Sequence, residues 1–320
     1  MKIGFDIMGG DYAPKEAIDG AIIAQKELGE NVRIVLIGDK DMAIHHLNNG
    51  GAKAEDFDIV HTSEIIGMSE HPTKAISQKK DSGISVGFNM LATKKINAFV
   101  SAGNTGAMLV GSMFSVKPIE GVIRPCLTAI VPKPKGGIGI ILDVGANADC
   151  KPDVLYQFAI LGSLMMKHVY GMADPKVGLL SIGEEKEKGN LVTISAHHIM
   201  EDSTLFHFIG NVEGRDLISD KVDVVVCEGF TGNVVLKALE SMHYVMKKRG
   251  INDEYLESFN YENYGGTPIL GVNAPVIIGH GISNAKAFKN MILSARDVVN
   301  SNLVTIIHDA FQNIVPPTTQ

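Results

Sequence analysis

The chain has no tryptophan, only three cysteines and no basic excess. Each shortage excludes something. Cys126, Cys150 and Cys227 are odd in number and widely spaced, which argues against a disulfide framework and for a reducing compartment. No Cys/His spacing matches a zinc site. Net charge is −7, from 29 basic and 36 acidic residues, which is the wrong balance for a general nucleic-acid binder. Lys79-Lys80, Lys94-Lys95 and Lys247-Lys248-Arg249 read individually as solvated faces. No apolar run reaches the ~18 residues a membrane span requires. Residues 155–172 come closest, but Gln157, Ser163, Lys167 and His168 make them a buried amphipathic helix. MKIGFDIMGGD at the start runs straight into a strand and a glycine turn, so no secretory leader is expected.

Familiar motifs are missing as well. There is no G-x-x-x-x-G-K-[ST] loop, no well-placed G-x-G-x-x-G and no G-x-S-x-G elbow. Arg33, Arg124, Arg215, Arg249 and Arg296 lie scattered; they form no cluster for a dicarboxylate.

What is present is alternation. Strand candidates fall at 2–5, 32–37, 57–60, 98–100, 127–131, 139–142, 177–181, 206–209, 222–226 and 276–278. Between them lie helix patterns at 13–28, 39–48, 73–79, 83–94, 105–114, 152–170, 190–200, 232–249 and 283–300. Several strands are continuous apolar runs, as expected where helices cover both faces. The order predicts an α/β fold with a mostly parallel sheet flanked by helices. PKPKGG at 132–137 reads as a hairpin, locally antiparallel. The tail IVPPTTQ is expected to fray.

The chain also carries 34 glycines, many of them just after strand candidates. Asp6 to Asp11 includes Gly9 and Gly10. Ser101 is followed by Gly103-Asn104-Thr105-Gly106. Asp143 leads to Gly145 and Asn147, and Ser181 leads through Glu184 and Lys188 to Gly189-Asn190. Gly210-Asn211 follows Ile209. Glu228 precedes Gly229-Phe230-Thr231-Gly232-Asn233, and Gly279-His280-Gly281 precedes Ser283-Asn284. In open α/β sheets, ligands bind beyond the carboxyl ends of strands. Glycine permits close backbone approach, and the next helix offers unpaired N–H groups to an anion. The Gly-x-Thr-Gly construction, made twice, therefore reads as a pair of oxyanion or phosphate cradles. The carboxylates Asp6, Asp11, Asp143, Glu184 and Glu228 are expected to orient these loops by accepting backbone N–H bonds. His45-His46 and His197-His198 read as surface residues.

Together these stretches resemble the bacterial phosphate acyltransferases of phospholipid synthesis. The matching segments are DIMGGD (6–11), SAGNTGA (101–107), RP (124–125), LDVGAN (142–147) and KGN (188–190). FIGNVEGRDL (208–217), GFTGNVVLK (229–237), NYGGTPILGVNAPVIIGHG (263–281) and SNA (283–285) complete the match. The resemblance implies transfer of an acyl group from an acyl-carrier-protein thioester to inorganic phosphate. It also implies an isopropylmalate/isocitrate dehydrogenase-like architecture, one compact two-lobed domain over 1–320 with a central cleft, and a homodimer. No metal or nucleotide cofactor is implied. The resemblance further implies a cytoplasmic location with peripheral contact at the inner face of the membrane. The chain departs from the family at Ser77-Gln78, at Ser82-Gly83 and in a shorter 238–263 segment.

On that reading, Asn104, Thr105 and Gly106 bind phosphate, with Ser101 and Gly103 in the same loop. Lys188 meets charge on phosphate or the oxyanion, Thr231, Gly232 and Asn233 donate to either, and His280 donates or carries a proton. Asp143 and Asn147 organise the floor beside Glu228. Asp6, Gly9, Gly10, Asp11, Ser283 and Asn284 line the remaining loops, and Lys79 and Lys80 face the carrier. Two rivals are a metal- and NAD-dependent decarboxylating dehydrogenase on the same fold, and a non-catalytic scaffold for acyl carrier or membrane.

Overall fold

A computed structural model of the chain describes residues 1–312; the expectation for the tail lies outside them. The strands are β1 (Lys2–Asp6), β2 (Arg33–Gly38), β3 (Asp58–His61), β4 (Ala98–Ser101), β5 (Cys126–Pro132), β6 (Ile138–Leu142), β7 (Lys176–Leu180), β8 (His207–Val212), β9 (Val224–Val226), β10 (Gly266–Leu270) and β11 (Val276–Gly279). The helices are α1 (Lys15–Leu28), α2 (Lys40–Asn49), α3 (Pro72–Gln78), α4 (Gly83–Ala92), α5 (Thr105–Gly111), α6 (Pro152–His168), α7 (Leu191–Glu201), α8 (Gly229–Lys248), α9 (Glu254–Glu257), α10 (Ala285–Asn300) and α11 (Leu303–Gln312). A π-helical turn, Ser112–Val116, extends α5.

The chain divides into two compact units: Met1–Pro118 with Tyr261–Asn300, and Ile119–Asn260 with residues 301–312. In the first, the strands run β3-β2-β1-β4-β11-β10. All neighbours are parallel except β10 and β11. Every residue of β4 is buried, which is why its sequence is apolar without alternation. Phe5 meets Phe288 of α10 with ring centroids 5.5 Å apart, and Phe88 of α4 meets Phe99 at 5.1 Å.

In the second unit the order is β5-β6-β9-β7-β8. The β5–β6 hairpin is antiparallel, as expected of PKPKGG, and the remaining pairs are parallel. Helix α6 is mostly buried, with Phe158, Leu161 and Met165 inaccessible to solvent, and it packs on β6 and β9. The α/β expectation with a mostly parallel sheet therefore holds. Among the described residues no helix is long and apolar enough to cross a membrane.

Candidate functional site

Parallel pairing carries the glycine loops of each unit to one edge of its strands. In the first unit β1, β4 and β11 are neighbours, so the loops from Asp6, Ser101 and Gly279 start side by side. They are bonded to one another. Ser101 Oγ donates to Asp6 Oδ2 at 2.7 Å, the Gly103 N–H donates to Ser101 Oγ, and the Asp11 N–H donates to the Gly281 carbonyl at 2.7 Å. Asp6 is buried, and burial pushes its carboxyl up to about 6, although Ser101 and the Met8 and Gly9 amides favour the anion. A Cβ at Gly83 would stand 2.3 Å from Asp6 Oδ1, and one at Gly9 would stand 2.7 Å from the Gly103 nitrogen. Neither position has room for a side chain.

Asn104 caps α5, but its amide does more than cap. Oδ1 accepts from the Ala107 N–H, and Nδ2 donates to the carbonyls of Gly67, Met68 and Glu70. It is also buried. The expectation that this side chain donates to phosphate is therefore corrected: it is spent holding the 67–70 turn. Thr105 is exposed and Gly106 half-buried, and as the first residues of α5 their N–H groups lie outside the helical ladder.

Lys79 is corrected in the same way. Its ammonium donates to the Ile65 carbonyl and pairs with Glu70, which also accepts from Gly67 N–H. Lys80 is exposed and lines a pocket of about 330 Å³ with Ile76, Ser85, Phe88, Asn89, Ala92 and Ser115. The His280 ring lies 5.1 Å from that of Tyr261, whose hydroxyl donates to Ile282 O. Ser283 Oγ donates to the His280 carbonyl, and Asn284 Oδ1 accepts from the Ala287 N–H at the start of α10.

In the second unit β6, β9, β7 and β8 are consecutive and parallel, so the loops from Asp143, Cys227, Ser181 and Glu213 share an edge. Asp143 is fully buried and accepts from the N–H groups of Leu127, Ala146 and Asn147 and from Asn147 Nδ2. Burial raises its pKa against those donors. Asn147 Nδ2 also donates to the Pro125 carbonyl, and its own carbonyl accepts from Gly229. Thus a carboxylate and an amide fix the loop after β6.

The quartet Gly229-Phe230-Thr231-Gly232 is not a loop. It forms the first turn of α8, capped by Glu228, which accepts from Thr231 N and Thr231 Oγ1. Thr231's hydroxyl proton is therefore committed within the cap. Asn233 and Lys188 are both exposed at this edge. Among the described residues no hydrogen bond or ion pair engages either the Asn233 amide or the Lys188 ammonium. The Gly210-Asn211 stretch also differs from expectation: it lies inside β8. His197, expected at the surface, is 6% exposed and bonded to Asn211. Sequence reasoning missed that Asn211 is a buried, bonded side chain, although the glycine before it is the signal of a bulge.

A family model described as a fatty acid synthesis protein matches residues 1–306. The phosphate acyltransferase of Halothermothrix orenii is 42% identical over 96% of this chain and 97% of its own. The chain belongs to the phosphate acyltransferase family. The phosphate acyltransferase of Pelotomaculum thermopropionicum is 41% identical, covering 98% of this chain and 96% of its own. Among solved structures, a phosphotransacetylase from Streptococcus pyogenes has a TM-score of 0.63 at 15% identity, over 93% of this chain and 94% of its own. A branched-chain phosphotransacylase from Enterococcus faecalis V583 has a TM-score of 0.63 at 16% identity, over 93% and 99%. At such identities the likeness shows a shared fold.

The three cysteines of this phosphate acyltransferase are free thiols, and Cys126 and Cys227 are buried. Burial holds Cys126 and Cys227 well above the usual thiol range. Burial, with the nearby Asp143 carboxylate, pushes Cys150 up to about 12. Reactive cysteines need the opposite environment. Among the described residues no group of three His, Cys, Asp or Glu side chains is placed to hold a metal ion.

Proposed function

We propose that this enzyme transfers a fatty acyl group from an acyl-carrier-protein thioester to inorganic phosphate, making acyl phosphate for phospholipid synthesis. A phosphate oxygen attacks the thioester carbonyl carbon, and a tetrahedral oxyanion forms. Collapse breaks the C–S bond and expels the carrier thiolate, which takes up a proton. Phosphate is itself the nucleophile, so the protein's task is to position it and to stabilise charge. The observation that carries this reading is the state of the second unit's edge. Among the described residues an ammonium and an amide, Lys188 and Asn233, are exposed and uncommitted at the strand edge that Asp143 and Asn147 anchor, while burial pushes the thiols up.

In this scheme Lys188 meets the charge of phosphate or the oxyanion, and Asn233 donates to the oxyanion. In the first unit, the Thr105 and Gly106 N–H groups are open to an anion, and the exposed Lys80 meets the carrier. The working form is a cytoplasmic homodimer with peripheral contact at the inner membrane face. Release of carrier thiol from acyl carrier protein, followed with and without phosphate, tests the reaction. Thiol release that needs phosphate and yields acyl phosphate supports it; release independent of phosphate rejects it.

A further inference from the structure

Strands β7 and β8 start in register, with Val177 opposite Phe208. Two residues later on β7, Leu179 lies opposite Asn211, three residues later on β8. The extra residue is a bulge, and Gly210 within it has φ +93°. Bulges bend a strand and re-aim a side chain, often beside an active site.

The side chain aimed here is Asn211, which is 3% exposed. Its Nδ2 donates to the Glu185 carbonyl at 2.8 Å, and its Oδ1 lies 2.9 Å from Nδ1 of His197. With the NH₂ group spent on Glu185, Oδ1 must accept, so His197 carries its proton on Nδ1. His197 is fixed in turn by α7 and by Phe208, whose ring centroid lies 5.2 Å away.

Burying an amide and an imidazole costs free energy unless both are bonded. Among the described residues, the one partner outside β8 and α7 is the Glu185 carbonyl, in the loop 181–190 that carries Lys188. Residues 184–188 are all exposed, so packing does not hold this stretch. The same Glu185 carbonyl accepts from the Lys188 N–H, and the Lys188 carbonyl accepts from Ser181 Oγ. Glu184 pairs with Lys221, and Lys186 lies 3.8 Å from Glu201, but these pairs are exposed and worth little. The part-buried bond from the buried Asn211 side chain is the loop's inward anchor.

We propose that Asn211, oriented by His197 and by the Gly210 bulge, is a positioning residue that sets the place of Lys188 in the reaction; the role of Lys188 rests on the preceding section. The test combines Asn211→Ala, Lys188→Ala and the double variant, with hydrogen exchange over residues 183–190 of each. Asn211→Ala should lower kcat on the order of 10–100-fold, as small misplacements do, with KM for the acyl donor unchanged and exchange in the loop faster. In the Lys188→Ala background it should cost nothing further. Unchanged loop exchange, or losses that multiply in the double variant, would overturn the proposal. If Lys188→Ala alone keeps full turnover, the lysine's role fails and the positioning of a catalytic group fails with it. Faster exchange in Asn211→Ala would still show separately that the loop is anchored. If Asn211→Ala does not fold, His197 decides. His197→Asn keeps a donor near the Nδ1 position and should retain turnover, while His197→Leu should lose it; equal behaviour of the two rejects the relay.

Discussion

Ser101 Oγ donates to Asp6 Oδ2 across 2.7 Å, joining the ends of two adjacent parallel strands 95 residues apart in the chain. The carboxyl beneath that bond is raised from its ordinary 3.8 to about 6 by burial. The native state therefore holds this proton more tightly than the unfolded chain. The associated stability is fully present below 3.8 and is lost as pH rises through about 6, a change of about 3 kcal/mol. Asp6→Asn mimics the protonated form. Its stability relative to the parent protein should improve between pH 4 and 8 by up to that amount, measured by urea unfolding. Parallel pH profiles for the two proteins would refute the assignment.

Gly232 lies in the first turn of α8, where alanine would ordinarily gain about 1 kcal/mol. Here an added Cβ would stand 1.9 Å from the Asp143 carbonyl oxygen, a backbone atom. Gly232→Ala should therefore destabilise by at least about 2 kcal/mol and disturb the floor. A denaturation midpoint at or above that of the parent would contradict this.

Lys133 and Asp223 form a salt bridge in which each side chain is 10% exposed, and Asp223 also accepts from the Lys176 N–H. Removing the lysine strands a buried carboxylate. Lys133→Ala should cost about 3–5 kcal/mol. Replacing both partners with apolar residues should cost less than that single change, as unfolding measurements on the two variants would reveal.

Lys188 is exposed, so Lys188→Ala should leave stability within about ±0.5 kcal/mol while lowering turnover strongly. Steady-state kinetics with thermal melts separate the two effects. Full activity in the variant would remove the lysine from the site.

The carrier prediction concerns the end of α8. Lys247 lies 3.4 Å from Glu257, and Lys248 stacks over Tyr244 at 5.9 Å. Both are exposed. Lys247→Glu with Lys248→Glu should raise KM for acyl carrier protein and leave that for phosphate unchanged. The effect should shrink as salt rises, because exposed charge attraction is screened. Equal change for both substrates, or none for either, would instead point to contact between copies of the chain or with a membrane as the role of this segment.

The strands of this fold were legible because most are continuous apolar runs between glycine loops. β10 escaped because GTPIL opens on glycine and carries Pro268, which argues against a strand; it pairs antiparallel with β11. α11 escaped because LVTII is β-branched and reads as extended. Its period was nevertheless present in buried Leu303, Ile307 and Phe311, and Asn302 at φ 54° marks the break after α10. In the site, residue types at strand ends showed where chemistry could gather but not which way each group turns. Asn104 and Lys79 look inward because carbonyls at 65–70 claim them, and no local pattern encodes that.

The chain leaves the first unit at Pro118 and re-enters it at Tyr261. β11, the neighbour of β4, is therefore translated after the whole of 119–260. At roughly 5–20 residues per second, a nascent chain waits on the order of ten seconds with one side of β4 lacking its partner. An open strand edge is a template for wrong pairing. β4 limits the hazard by being only four residues long, which leaves a stalled ribosome little edge to offer a neighbouring chain.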